Sequence, residues 1–198
     1  MSLSPAMVIL AAGRSRRMGS PKALLPLSGT TVIQHLVSVY SEHWPVWIAA
    51  NPQVQDELEL LALPVRFIRV ENPLPGLFSS VKIVAQRLRG AVPAVFVTPV
   101  DCVLPDAHVP QLLAGVAART AAPVLVPEYN GRPGHPVMLQ AEVLEKLAEA
   151  DPEARFDALL DQFSPVRVTV TESAVLMNLN TPEDYAGFLR HQPNPGQP

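Results

Sequence analysis

The sequence predicts an α/β domain of three layers, a mostly parallel mixed sheet with helices on both faces. Short apolar runs alternate with longer stretches of helical period, the signature of strands joined by crossover helices. A length of 198 residues with 48% hydrophobic content supports one sizeable core. Prolines mark the boundaries: of 22, those at Pro45, Pro64, Pro93, Pro123 and Pro165 each stand just ahead of an apolar run, where a proline stops the preceding segment.

Taken in order, the first run, Met7–Ala11, is followed by Val32–Glu42, whose apolar residues recur three or four apart and predict a helix. The same alternation pairs the strand Val46–Ala50 with the helix Val54–Leu61, and Val65–Val70 with Leu77–Arg89. It continues with Ala94–Thr98 and Val109–Arg119, then Val124–Val126 and Ala141–Ala150, and ends on the strand Val166–Val170. Thr181-Pro182 reads as an N-cap and first helical residue, with Asp184 at N3. Without internal repeats or a dividing linker, residues 1–190 are expected to form a single domain, and residues 191–198 a disordered tail.

The balance of charge excludes some classes of partner. A net charge of -3 argues against a nucleic-acid surface. The apolar stretch Met7–Ala12 is too short for a membrane span, and no basic segment precedes it, so no membrane association is expected. A single cysteine, Cys102, excludes an intramolecular disulfide and a Cys-rich metal knuckle. These features suit a cytoplasmic protein.

In sheets of this type ligands bind at the carboxyl ends of strands, near a topological switch point, so the loops after strands carry the chemistry. The first such loop runs Leu10-Ala11-Ala12-Gly13-Arg14-Ser15-Arg16-Arg17-Met18-Gly19-Ser20-Pro21-Lys22. Its small residues allow close backbone approach, and successive N–H groups can form an anion-binding concavity. Arg17 and Lys22 add positive charge, so a triphosphate is the natural guest. No Gly-Lys-Ser/Thr follows the glycine and no G-x-G-x-x-G spacing is present, which excludes the P-loop and dinucleotide patterns. A plain strand-to-helix turn with solvated arginines remains the alternative on spacing alone.

Leu-Ala-Ala-Gly-x-Ser-x-Arg-Met-Gly-x-x-Lys, as it stands from Leu10 to Lys22, resembles the signature of the MobA-like NTP transferases. The similar segments extend to about Leu189. The resemblance implies a Rossmann-like nucleotidyltransferase fold. It also implies that Leu10, Ala11, Ala12, Gly13, Arg14, Ser15, Gly19 and Lys22 bind the nucleotide. Gly76-Leu77-Phe78-Ser79-Ser80-Val81 is similar to the family's Gly-Met-Ser-Ser-Ser-Leu, with Phe78 in place of the first serine. Ser79 and Ser80 then contribute to the nucleotide site, although serines at a helix start also serve as caps.

Asp101 aligns with the family's metal-binding aspartate, in the altered context Pro99-Val100-Asp101-Cys102-Val103. Many relatives read Asp-Ile-Asp-Thr, and others Asn-x-Asn-Thr, where this chain has Asn178-Leu179-Asn180-Thr181. An asparagine carbonyl can still ligate Mg2+, without formal charge. The implied metal set is therefore Asp101 with Asn178 and Asn180, and the implied catalytic residues are Arg17, Lys22 and Asp101. Gly131-Arg132-Pro133-Gly134-His135-Pro136-Val137 resembles a segment of the cytidylyltransferase-like branch. His135 there could contact an acceptor phosphate or brace the turn.

The resemblance implies Mg2+-dependent transfer of a nucleoside monophosphate from an NTP to a phosphorylated acceptor, releasing pyrophosphate. Ala11-Ala12-Gly13, rather than the Ala-Gly-Gly of guanylyl-transferring relatives, favours CTP. Molybdopterin is the leading acceptor, with a molybdoenzyme as a possible partner. Three other readings stay open: a sugar or polyol phosphate acceptor, a non-catalytic carrier of nucleotide or cofactor, and an NAD-dependent oxidoreductase. The absent dinucleotide spacing speaks against the last.

Overall fold

The structure is a computed structural model of the chain, and it describes residues 4–13, 20–71, 78–104, 106–151 and 153–190. Its strands are β1 (Ala6–Leu10), β2 (Pro26–Leu27), β3 (Thr30–Thr31), β4 (Val46–Ala50), β5 (Arg66–Arg69), β6 (Ala94–Pro99), β7 (Val124–Tyr129), β8 (Arg132–Pro133), β9 (Val137–Gln140) and β10 (Val166–Thr169). The helices are α1 (Val32–Ser41), α2 (Pro52–Glu59), α3 (Phe78–Leu88), α4 (His108–Ala117), α5 (Ala141–Glu149), α6 (Phe156–Asp161) and α7 (Pro182–Arg190). Short 3-10 turns occupy Lys22–Leu24 and Ser173–Leu176. The predicted tail lies outside the described residues, as do Arg14, Ser15, Arg17 and Gly19 of the first loop.

The main sheet runs β10-β7-β9-β6-β1-β4-β5, with β8 paired to the outer part of β7, while β2 and β3 form a small separate hairpin. β1 is parallel to both of its neighbours, β4 and β6. From β1 the chain moves outward to β4 and β5, then crosses back to β6 on the other side. The order therefore reverses between β1 and β6, which opens a crevice at their carboxyl ends. β9 runs antiparallel between β6 and β7, so the sheet is mixed.

Alternation along the strands separates two cores, as the two-residue period of a pleated strand requires. Met7, Ile9, Ile48, Phe96, Leu125 and Met138 face a core completed by α1, α2, α4 and α7. Val8, Trp47, Ala49, Val95, Val97 and Leu139 face the opposite core, completed by α3, α5 and α6. Every residue of β1 and β4 is buried, as expected of strands covered on both faces. This gives the three layers that the alternation of strands and helices predicts. Among the described residues no helix is long and apolar enough to cross a membrane.

Local signals explain the element boundaries. Thr31 caps α1 in a reciprocal box, its hydroxyl accepting from the Gln34 N–H while Gln34 Oε1 accepts from the Thr31 N–H. Pro45, Pro93, Pro123 and Pro165 each precede a strand directly, as the sequence predicts. Their missing N–H costs the sheet little there, and the carbonyls of the first three still accept from Met7, Ala141 and Gln140. Three features depart from the sequence reading. β9 was not predicted, because the apolar run Val137–Leu139 is short and sits beside a proline-glycine turn. The six-residue α6 and the two-residue strands are too short to show a period.

Gly134 joins β8 to β9 at the closest backbone approach found among the described glycines. A Cβ there would stand 2.5 Å from the Val175 carbonyl oxygen, with neighbouring Val175 atoms at 2.8 Å. The flanking hydrogen bonds, Gly134 N to Pro127 O at 2.8 Å and His135 N to Val175 O at 2.9 Å, hold this contact in place. Gly134→Ala is expected to destabilise the fold by about 1–3 kcal/mol, the cost of forcing a methyl into a packed site. Urea unfolding of the variant checks this, and an unshifted midpoint would show that the turn yields freely.

Candidate active site

Chain segments far apart in sequence meet at the carboxyl ends of β1 and β6. The first loop leaves β1 through Leu10, Ala11 and Ala12, all buried, and reaches the exposed Gly13. Its start is fixed by hydrogen bonds from Ala11 N to Ala49 O and from Val100 N to Leu10 O. Asn51 adds a brace, since its Nδ2 donates to the Ala12 carbonyl at 3.2 Å while its Oδ1 caps α2 through the Val54 N–H. The sequence reading missed Asn51; Asn-Pro is the pattern of an N-cap with proline at the first helical position, but the hold on the first loop is visible only in three dimensions.

Lys22 begins a 3-10 turn anchored by the buried Ala23 and Leu25. Its ammonium lies 2.6 Å from Asp101 Oδ2 and donates to Asn180 Oδ1 at 2.8 Å. The Lys22 and Asp101 side chains are only 15% and 14% exposed. This degree of burial separates the pair from a surface ion pair screened by water.

Asp101 follows β6 within a tight turn closed by Cys102 N to Pro99 O. The flanking Val100, Cys102, Val103 and Leu104 are all buried, which leaves the carboxylate as the one group of this run at the crevice. The Asp101 backbone carbonyl also accepts from Leu179 N at 3.2 Å, and Leu179 is buried in the first core. The asparagine segment is thereby tied directly to the acid. Asn180 is further held by Asp184, whose Oδ2 accepts from the N–H groups of Asn180 and Thr181, while Thr181 Oγ1 accepts from Asp184 N. These contacts, the Thr181 hydroxyl first, keep the Asp184 carboxyl below its usual range. The helix start that the sequence predicts thus also positions the candidate ligand.

The sequence-predicted residues fall into distinct groups. Lys22, Asp101 and Asn180 converge. Asn178 is exposed and its Nδ2 donates to Leu176 O, whereas Asn180 meets the ammonium. Ser79 and Ser80 lie in the first turn of α3, where Ser80 is buried. Phe78, in the position of a family serine, is buried in the second core and stacks on Phe156 at a ring separation of 6.3 Å. Arg14, Ser15, Arg17 and Gly19 lie outside the described residues.

His135 stands close enough to Asp101 for the two charges to interact. Burial nevertheless pushes its imidazole below the ordinary histidine range, against the opposing effects of Asp101 and a backbone hydrogen bond at Val97. Its Nδ1 is buried without a hydrogen-bond partner among the described residues.

The donor set around the Lys22 ammonium has the chemistry of a hard-cation site. A carboxylate oxygen and an amide oxygen already point at one positively charged atom, and oxygen ligands of these kinds suit Mg2+ or Mn2+. Among the described residues no group of three or more His, Cys, Asp or Glu side chains could hold a metal. A divalent ion at Asp101 and Asn180 would therefore take its remaining ligands from phosphate oxygens and water, as Mg2+ commonly does.

Cys102, next to Asp101, is fully buried, its Sγ 3.7 Å from the Ala174 carbonyl and 3.8 Å from that of Val175. Burial, with a smaller contribution from the Asp101 charge, pushes the thiol up to about 12. Because the thiolate is the reactive form, the folded chain at pH 8 is expected to resist Ellman's reagent, and the denatured chain to release one equivalent. Equal labelling rates in the two states would contradict this packing.

Comparison with known proteins gives the family and the fold. The MobA-like NTP transferase domain matches residues 7–168. A protein of Mycobacterium bovis (strain BCG / Pasteur 1173P2), named a probable molybdenum cofactor guanylyltransferase, is 34% identical over 185 residues, with 88% of each chain covered. Rv0371c from Mycobacterium tuberculosis H37Rv superposes with a TM-score of 0.83 at 22% identity, covering 96% of this chain and 100% of that one. A manganese complex of Rv0371c gives 0.78 at 19% identity, with the same coverage. At these identities the structural likeness shows the fold. The domain match over most of the chain, together with a relative of this identity, shows that the chain belongs to the MobA-like NTP transferase family of nucleotidyltransferases.

Proposed function

We propose that the chain transfers a nucleoside monophosphate from an NTP to molybdopterin, with Mg2+ as the metal and pyrophosphate as the leaving group. The observation that carries this reading is the meeting of Lys22, Asp101 and Asn180 at the β1–β6 switch point. The acceptor follows the relatives named as molybdenum cofactor transferases and the resemblance in sequence. A buried, unpaired thiol suits work in the cytoplasm.

Two anions must approach one another in this reaction, so the work of the site is charge neutralisation and alignment. The loop from Leu10 to Gly19 cradles the triphosphate with backbone N–H groups, and Asn51 holds the start of that loop rigid. Lys22 and Arg17 neutralise phosphate oxygens. Asp101 and Asn180 would hold the divalent ion, which would supply Lewis-acid stabilisation of charge on the transferring phosphoryl group. Ser79, at the positive end of the α3 dipole, is placed to meet an anion. For His135, the burial of Nδ1 favours bracing of the turn beside Asp101 over direct contact with the acceptor.

Two donor bases have support. Ala11-Ala12-Gly13 favours CTP, whereas the names of the curated relatives favour GTP. Pyrophosphate release from CTP, GTP, ATP and UTP, each with molybdopterin and Mg2+, separates them. We expect turnover with CTP, and a fall of about a hundredfold or more in kcat for Asp101→Ala, the cost of losing one charge-assisted contact made in the transition state. Turnover with GTP alone would reassign the base and keep the chemistry. Wild-type turnover by Asp101→Ala, or no pyrophosphate from any NTP, would overturn the reading.

A further inference from the structure

The point between the two proposed metal ligands is taken by a side chain of the protein itself. Lys22 Nζ is 2.6 Å from Asp101 Oδ2 and 2.8 Å from Asn180 Oδ1. A divalent ion ligated by the same two oxygens would stand about 2.1 Å from each. The ion and the ammonium would draw on the same two oxygens and repel each other, so they compete for the site. We propose that Lys22 is a displaceable occupant of the cation site, excluding the divalent metal until a triphosphate draws its ammonium away. This inference rests on the assignment of Asp101 and Asn180 as metal ligands and adds the order in which the site fills.

Charge and mechanics both favour exchange. The ammonium touches one charged group, Asp101, and one neutral group, Asn180, with Asp184 acting on it from farther off, so a divalent ion alone would find little negative charge in direct contact. The triphosphate reverses that balance by bringing several negative charges, and it offers Lys22 a stronger anionic partner than one carboxylate. The backbone of Lys22 is fixed through the buried Ala23 and Leu25, while its flexible four-carbon stem lets the head group swing without moving the chain. The limited exposure of both Lys22 and Asp101 makes water a poor substitute for either partner in the resting state.

The test is Mn2+ binding measured by electron paramagnetic resonance, which requires no turnover. Lys22→Met and Lys22→Gln remove the ammonium, and circular dichroism checks that at least one of them folds. Without nucleotide, the neutral variant is expected to bind Mn2+ at least about tenfold more tightly than the wild type. Addition of α,β-methylene-CTP or α,β-methylene-GTP is expected to bring the wild type to comparable affinity. Equal Mn2+ affinity of wild type and neutral variants in the absence of nucleotide would overturn the exclusion by Lys22. The underlying ligand assignment fails separately, if adding Asp101→Asn to Lys22→Met leaves Mn2+ binding unchanged. If no protein binds Mn2+ even with an analogue present, both are overturned.

Discussion

β1 is buried on both faces and paired on both edges, and the arrangement of the site follows from that confinement. Its residues alternate between two cores, with Met7 and Ile9 on one side and Ala6 and Val8 on the other. A strand so enclosed can expose chemistry only beyond its carboxyl end, where the chain must leave the sheet. The reversal of strand order between β1 and β6 keeps that end uncovered. Asp101 and the first loop share the crevice because their strands are neighbours, though the residues are far apart in sequence.

Within the crevice, precision comes from backbone anchors placed behind the functional side chains. Lys22 is held by Ala23 and Leu25, Asp101 by the buried run around it, and Asn180 by Leu179 and the cap of α7. The hydrogen bond from Leu179 N to Asp101 O ties two of these anchors together. Each side chain thus comes from a segment whose neighbouring residues are embedded in a core, which fixes the charged groups relative to one another before any ligand arrives. What remains adjustable is the Lys22 stem, the longest and most flexible of the three.

The sequence carried the layers and the parallel strands because burial on two faces writes long apolar runs such as Val46–Ala50, and because Thr181 caps its helix with recognisable chemistry. It did not carry β9, whose short run is defined by pairing with β6 and β7 rather than by its own pattern. In the site, Lys22 was legible as a charge on the first loop, and Asp101 only through the family resemblance. The choice between Asn178 and Asn180 was not, since residues two apart in an extended segment share a side, and only the folded contacts set Asn180 against the ammonium and Asn178 against the Leu176 carbonyl. The brace from Asn51 was hidden for a related reason. Its capping role is local in sequence, while its contact with Ala12 depends on β1 and β4 lying side by side.

The central claim is that a divalent ion and the triphosphate come together at Asp101 and Asn180, with Lys22 moving onto phosphate. Crystals grown with Mn2+ and an α,β-methylene NTP, measured at the manganese absorption edge, test it most directly. The account predicts an anomalous peak at ligand distance, about 2.0–2.5 Å, from oxygens of Asp101 and Asn180, with the Lys22 ammonium off the carboxylate and against the phosphates. A manganese peak elsewhere, with Lys22 still paired to Asp101 and Asn180, would contradict it.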